Sequence, residues 1–191
     1  MQCLNMAGHQ FAVQSCALII LYMSLLELHA TVADTQLVDS ICKQAESYEF
    51  CSSTLNGDLR SERADLHGLA IISIAETIAQ IRVVFDERIP EIIRHQVSIS
   101  NPIDKQRIKD CQSDYNGALH NFLGAYRSSS GRSYWEVIDW VRDGANEAIH
   151  CEDIYRWHDP LTVCPISAEN HNVIKLAEIV LIVVQSLLTI V

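Results

Sequence analysis

The chain has 191 residues, of which 49% are apolar, and it carries 24 acidic against 14 basic side chains for a formal net charge of −10. That balance excludes nucleic acid and an anionic membrane surface as partners, because both recruit cations. The length suits one domain with a real core, without room for several.

Residues 1–33 read as a signal peptide. The stretch "SCALIILYMSLLELHA" holds an apolar run of h-region length, and Thr31 and Ala33 are small enough for the −3 and −1 positions of a cleavage site. A transmembrane anchor is the competing reading, but Glu27 interrupts a run already short of the roughly 20 apolar residues a span needs. Cleavage removes Cys3 and Cys16 and leaves residues 34–191, still strongly acidic, with no further membrane association expected. Five cysteines remain there: Cys42, Cys51, Cys111, Cys151 and Cys164. In an oxidising compartment four can pair. No Asn-x-Ser/Thr sequon occurs.

The mature chain reads as helix throughout. A short helical hairpin spans Thr35 to about Asn56 and ends at "NGD"; residues 34–60 are assigned to it and residues 61–191 to four longer helices. The first long helix starts near Ala64. Its apolar residues, Leu66, Leu69, Ile72, Ile74, Ile78, Ile81, Val84 and Phe85, recur mostly every three or four positions and form one stripe. Pro90 should kink or restart it. In the second, Ile108, Cys111, Tyr115, Ala118, Phe122 and Ala125 share a face. "SSSGRS" is a turn, and "YWEVIDWVRDGANEAIHCEDIYR" is the third helix. "DPLTVCP" interrupts with two prolines, and Ser167 reads as the N-cap of the last helix. The ending "IVLIVVQSLLTIV" is either a bundle helix or the apolar tail of a cleavable lipid-anchor signal. Spacing through Val173, Leu176, Val180, Val183 and Leu187 favours the bundle.

Helix arithmetic pairs the cysteines. Cys42 and Cys51 lie nine positions apart, about 13.5 Å along a continuous helix, too far for a disulfide, so the chain turns back between them near residues 44–47. Cys111 and Cys151 are equidistant from the turn at Gly131 and come level across an antiparallel pair. Cys42–Cys51 with Cys111–Cys151 satisfies both constraints. Cys164 is left as a free thiol, either a small buried apolar residue or the partner of an intermolecular bridge.

No catalytic constellation or cofactor motif is present. The histidines of residues 34–191, His67, His95, His120, His150, His158 and His171, are scattered without the helical spacing of a zinc site, so neither metal nor other cofactor is expected. Neighbouring carboxylates such as Glu152 and Asp153 read as solvated surface. A stapled helical bundle without convergent polar groups points to a binding protein, not an enzyme.

The sequence resembles the plant invertase and pectin methylesterase inhibitor family, from about Asp39 to Leu188. The likeness rests on "ICKQAESYEFC", "ADLHGLAIISIA", "IKDCQSDYNGAL", "WVRDGANEAIHCEDIY" and the ending "PISAENHNVIKLAEIVLIVVQSLL", taken in order. It implies an all-α fold, an up-and-down four-helix bundle behind an N-terminal helical hairpin. The disulfides it implies are the two reached from spacing. It implies a secreted protein of the apoplast and cell wall, or of the vacuole, that binds pectin methylesterase or acid invertase one-to-one and blocks the substrate cleft. Some invertase inhibitors of the family carry Pro-Lys-Phe near the turn between the second and third bundle helices. Here that stretch is "GRSYW", and Arg132, Tyr134 and Trp135 are the expected target-binding residues. For Trp135 the alternative is a place on the helix's buried face. A secreted bundle that has lost inhibition is the competing function; Arg142, Asp143 and Gly144 in "WVRDGA" depart from the family's small residues.

Overall fold

The computed structural model describes residues 36–96, 101–157 and 159–189. The expected signal peptide and His158 lie outside the described residues. All regular structure among the described residues is helical. Helix α1 covers residues 36–42 and α2 covers Tyr48–Gly57, with a turn at residues 43–47 between them. A 3-10 turn, Leu59–Arg63, leads into α3, Leu66–Val83. A π-helical stretch at Val84–Arg88 joins α3 to α4, Ile89–Gln96. Then follow α5, Pro102–Ser130, α6, Tyr134–Arg156, and α7, Ser167–Thr189.

Local chemistry explains the starts. Ser47 accepts from the Phe50 amide, Asp65 from that of Gly68, and Asn101 from that of Ile103, each relieving an amide the helix leaves unbonded. Pro102 follows Asn101 at the first helical position, where a missing N–H costs nothing. Pro90 does not break its helix. It cannot donate to the Asp86 carbonyl, and its ring would crowd that oxygen. The ladder widens over Val84–Arg88, and α-helix resumes at Ile89.

Helices α3, α5, α6 and α7 pack in that order around a closed ring, α7 returning against α3. This is an up-and-down four-helix bundle, with the α1–α2 hairpin lying against α3 and α7. The expected stripes point inward. Leu69, Ile72, Ile74, Ile81 and Val84 of α3 are buried, with Leu66, Ile78 and Phe85 half-buried, and all six expected positions of α5 are buried. Each buried Ile or Leu contributes about 1.5–3 kcal/mol. Among the described residues, two stretches are long and apolar enough to cross a membrane by composition, Leu66–His95 and Ser167–Thr189. In α7, Val173, Val180 and Val183 are fully buried within the bundle, so its apolar character is that of a core helix.

Both disulfides are as the helix arithmetic requires: Cys42–Cys51 with Cα atoms 5.4 Å apart and Cys111–Cys151 with 4.8 Å. Two expectations are corrected. Ser167 is the first residue of α7 and not its cap; its hydroxyl donates to Glu152 Oε1 at 2.9 Å. Glu152 is buried, not solvated. It also accepts from Asn170 Nδ2 at 3.0 Å and pairs with Arg156 at 3.2 Å. A carboxylate with these partners tolerates removal from water.

Candidate functional site

The α5–α6 turn closes one end of the bundle. The amide of Arg132 donates to Ser129 O and that of Ser133 to Ser128 O, both at 2.9 Å, a pattern that ends a helix when the residue after the cap turns left-handed. Glycine is the usual occupant of that position. Here Gly131 keeps an ordinary φ of −82° and Arg132 takes the left-handed φ of 59°. A side chain with a Cβ costs roughly 1–2 kcal/mol in that conformation. Strain of this kind is held where the surroundings impose it, and it concentrates at functional sites.

The three expected binding residues divide. Arg132 is exposed. Trp135 is 71% exposed on the first turn of α6 and takes no part in the buried face. Tyr134 is half-buried, and its hydroxyl lies 3.0 Å from Nδ1 of His67, tying α6 to the first turn of α3. The tip therefore presents a cation and an indole, with the phenol beneath them as a brace. Ser128 Oγ donates to Glu136 Oε2 at 2.9 Å and fixes the last turn of α5 to the first of α6. His67 is the residue that sequence reasoning missed; a separation of 67 positions from Tyr134 carries no local signal.

The sulfurs lie toward the other end of the bundle, about 30 Å away by helix rise from Gly131 back to Cys111. Cys164 is buried and unpaired. Its Sγ and those of Cys111 and Cys151 all lie within 4.8 Å of one another. Two of these three sulfurs are committed to the disulfide. Burial pushes the Cys164 thiol up to about 12, and the Glu152 carboxylate against it works in the same direction. Arg107, itself buried, fixes the loop that brings Cys164 here. Its Nη1 donates to Pro160 O at 2.9 Å and Thr162 Oγ1 at 3.0 Å, and its guanidinium stacks over the Tyr155 ring.

A family model described as plant invertase/pectin methylesterase inhibitor matches residues 36–183. "Pectinesterase inhibitor 5" of Arabidopsis thaliana is 30% identical, with 80% of this chain and 83% of that protein covered. "Putative invertase inhibitor" of Platanus acerifolia is 26% identical, over 91% of this chain and 97% of that one. Among solved structures, a mutant form of a pectin methylesterase inhibitor from Arabidopsis superimposes with a TM-score of 0.63 at 20% identity, covering 78% of this chain and 95% of that chain, a likeness of fold.

Proposed function

The chain belongs to the plant invertase/pectin methylesterase inhibitor family, and from that premise we propose that it inhibits a plant pectin methylesterase by a one-to-one complex that blocks the substrate cleft. The 30% identity to a pectinesterase inhibitor supports that target ahead of acid invertase. The surface that makes the contact is the tip at Arg132 and Trp135, with Tyr134 holding it in place. One observation carries this assignment: an arginine occupies the left-handed position that glycine would fill without strain, beside a tryptophan left 71% exposed. Arginine and tryptophan, with tyrosine, are the side chains most enriched among residues that dominate interfaces. A narrow bundle end can enter a concave cleft, and a guanidinium can pair there with a carboxylate.

In this reading residues 1–33 direct the chain to secretion, and residues 34–191 act in the cell wall without catalytic groups or a cofactor of their own. Titration of the purified protein against a pectin methylesterase and an acid invertase, with calorimetric stoichiometry, tests it. Saturable inhibition of the esterase at one-to-one supports the proposal. Inhibition of the invertase alone reassigns the target, and inhibition of neither leaves a bundle that has lost the activity.

A further inference from the structure

Cys164 lies within 4.8 Å of both sulfurs of the Cys111–Cys151 bridge, and one side chain touches two of the three. Asn170 is fully buried on α7. Its Nδ2 lies 3.4 Å from Cys151 Sγ and 3.5 Å from Cys164 Sγ, and also donates to Glu152 Oε2 at 3.0 Å. Its Oδ1 accepts from the Tyr115 hydroxyl at 2.9 Å, which fixes the amide's orientation. A buried amide held this way is a preformed donor for negative charge on either sulfur.

We propose that Cys111, Cys151 and Cys164 form an intramolecular thiol–disulfide exchange site, in which Cys164 displaces Cys151 and the bridge moves to Cys111–Cys164. The step is balanced and needs no external oxidant. Cys164 loses its thiol proton to hydroxide. The Cys164 thiolate attacks Cys111 Sγ, the Cys111–Cys164 bond forms and the Cys111–Cys151 bond breaks with its electron pair on Cys151. That thiolate takes a proton from water, so one disulfide and one thiol remain and the hydroxide is returned. Direction follows from Asn170: a leaving sulfur that accepts a hydrogen bond leaves more readily, and Asn170 serves Cys151 and not Cys111. The consequence is mechanical. The staple between α5 and α6 becomes one between α5 and the α6–α7 loop, freeing the two helices that form the tip from their covalent link.

The groups facing the thiol set its tempo. Glu152 and Tyr155 approach from α6 and Tyr115 from α5, and Asn170 lies on α7; the Arg107 guanidinium stands over Tyr155. Burial and the Glu152 charge keep the thiol protonated, so exchange is slow in acid and accelerates about tenfold per pH unit as the thiolate fraction rises. Cys164 is only 4% exposed. External thiols are therefore excluded, and the internal reaction requires only that the Cys164 side chain rotate until its sulfur lies in line with the Cys111–Cys151 bond.

The test uses the unmodified protein. It is held for the same fixed interval at about pH 5 and about pH 9, acid-quenched, and its free thiols are alkylated in denaturant before non-reducing peptide mapping. At the lower pH the label should sit on Cys164. At the higher pH label on Cys151 should rise at least fivefold, with a Cys111–Cys164 peptide appearing in step, and Cys164→Ser should show no labelled cysteine among the three at either pH. Label confined to Cys164 at both values, or moving to Cys111 instead, overturns the proposal.

Discussion

His150 Nδ1 lies 2.9 Å from Asp114 Oδ2 across the seam between α5 and α6, yet the pairing does not win. Asp114 is 8% exposed, and its loss of water outweighs the imidazole, so its carboxyl sits above the usual 3.8. Glu147, one turn from His150, is raised too, first by its own desolvation and then by Asp114. The two carboxylates crowd one seam, and the Glu147 carboxylate lies over Gly117: a Cβ built there would stand 2.7 Å from Glu147 Oε1 and would push that side chain aside.

The contribution of these two carboxyls to stability should therefore rise as the solution is acidified toward them. A carboxyl raised in the folded state contributes stability that is fully present below its unfolded value of 3.8 and is lost as pH climbs through the folded value. Asp114→Asn removes that titration. The stability of the parent relative to the variant should grow from neutral pH down toward pH 4, by at most about 1.4 kcal/mol per pH unit. Urea melts of both proteins at several pH values measure it. A difference that shrinks on acidification would mean the His150 pairing dominates after all.

The two disulfides should differ in worth. One closes 40 residues and the other 9, and chain entropy assigns them about 4 and about 2.6 kcal/mol. The comparison needs both cysteines of a bridge replaced. Removing Cys111 alone leaves Cys151 within 4.8 Å of Cys164, ready to form a substitute bridge. Cys111→Ala with Cys151→Ala should lower the urea midpoint more than Cys42→Ala with Cys51→Ala.

Gly144 has a packing reason. A Cβ at this position would stand 2.6 Å from Phe122 Cε2, and Phe122 is fully buried in α5. Gly124 faces Trp140 in the same way at 2.7 Å. The α5–α6 pair is thus interlocked, each helix offering a glycine to an aromatic ring of the other. Gly144→Ala should destabilise the protein by about 1–3 kcal/mol, the usual cost of overpacking, despite alanine's better helix propensity. Thermal melts read this directly, and an unchanged or raised Tm would show that the ring can move aside.

The residues that the sequence made legible are those set by short-range periodicity. The α5 stripe from Ile108 to Ala125, the turn between Cys42 and Cys51 and the level placement of Cys111 and Cys151 all follow from helical rise and repeat. Ser167 failed because a hydroxyl near a helix start can either cap or reach sideways, and a buried Glu152 carboxylate competes better for it. Glu152 itself read as surface because its partners, Asn170 and Ser167, lie 18 and 15 positions away on another helix. Cys164 could be called unpaired, but its neighbours depend on Arg107 bonding Pro160 and Thr162 across more than fifty residues. At the tip, "SSSGRS" marked a turn. Which of its residues turns left-handed is not legible there, and the chain places Arg132 in that position with a φ of 59°.

That placement separates stability from inhibition. Arg132→Gly relieves the left-handed φ of 59° and should stabilise the fold by about 0.5–1 kcal/mol, since part of the relieved strain is returned as added freedom of the unfolded chain. The same change deletes a guanidinium from the proposed contact surface and should weaken inhibition by about 2 kcal/mol, roughly thirtyfold in affinity. Trp135→Ala, at a side chain 71% exposed, should weaken inhibition comparably and leave the melting temperature nearly unchanged. Tyr134→Phe is the control: it keeps the ring and loses only the bond to His67 Nδ1, so it should cost about 1 kcal/mol of stability and less inhibition than the other two. Titration of each variant against its target enzyme, beside its thermal melt, gives both numbers. Gain of stability with loss of inhibition in Arg132→Gly is the signature of a strained residue retained for binding. If Arg132→Gly and Trp135→Ala both inhibit within twofold of the parent, the tip is not the contact surface, and the exposed sides of α5 and α6 should be scanned in its place.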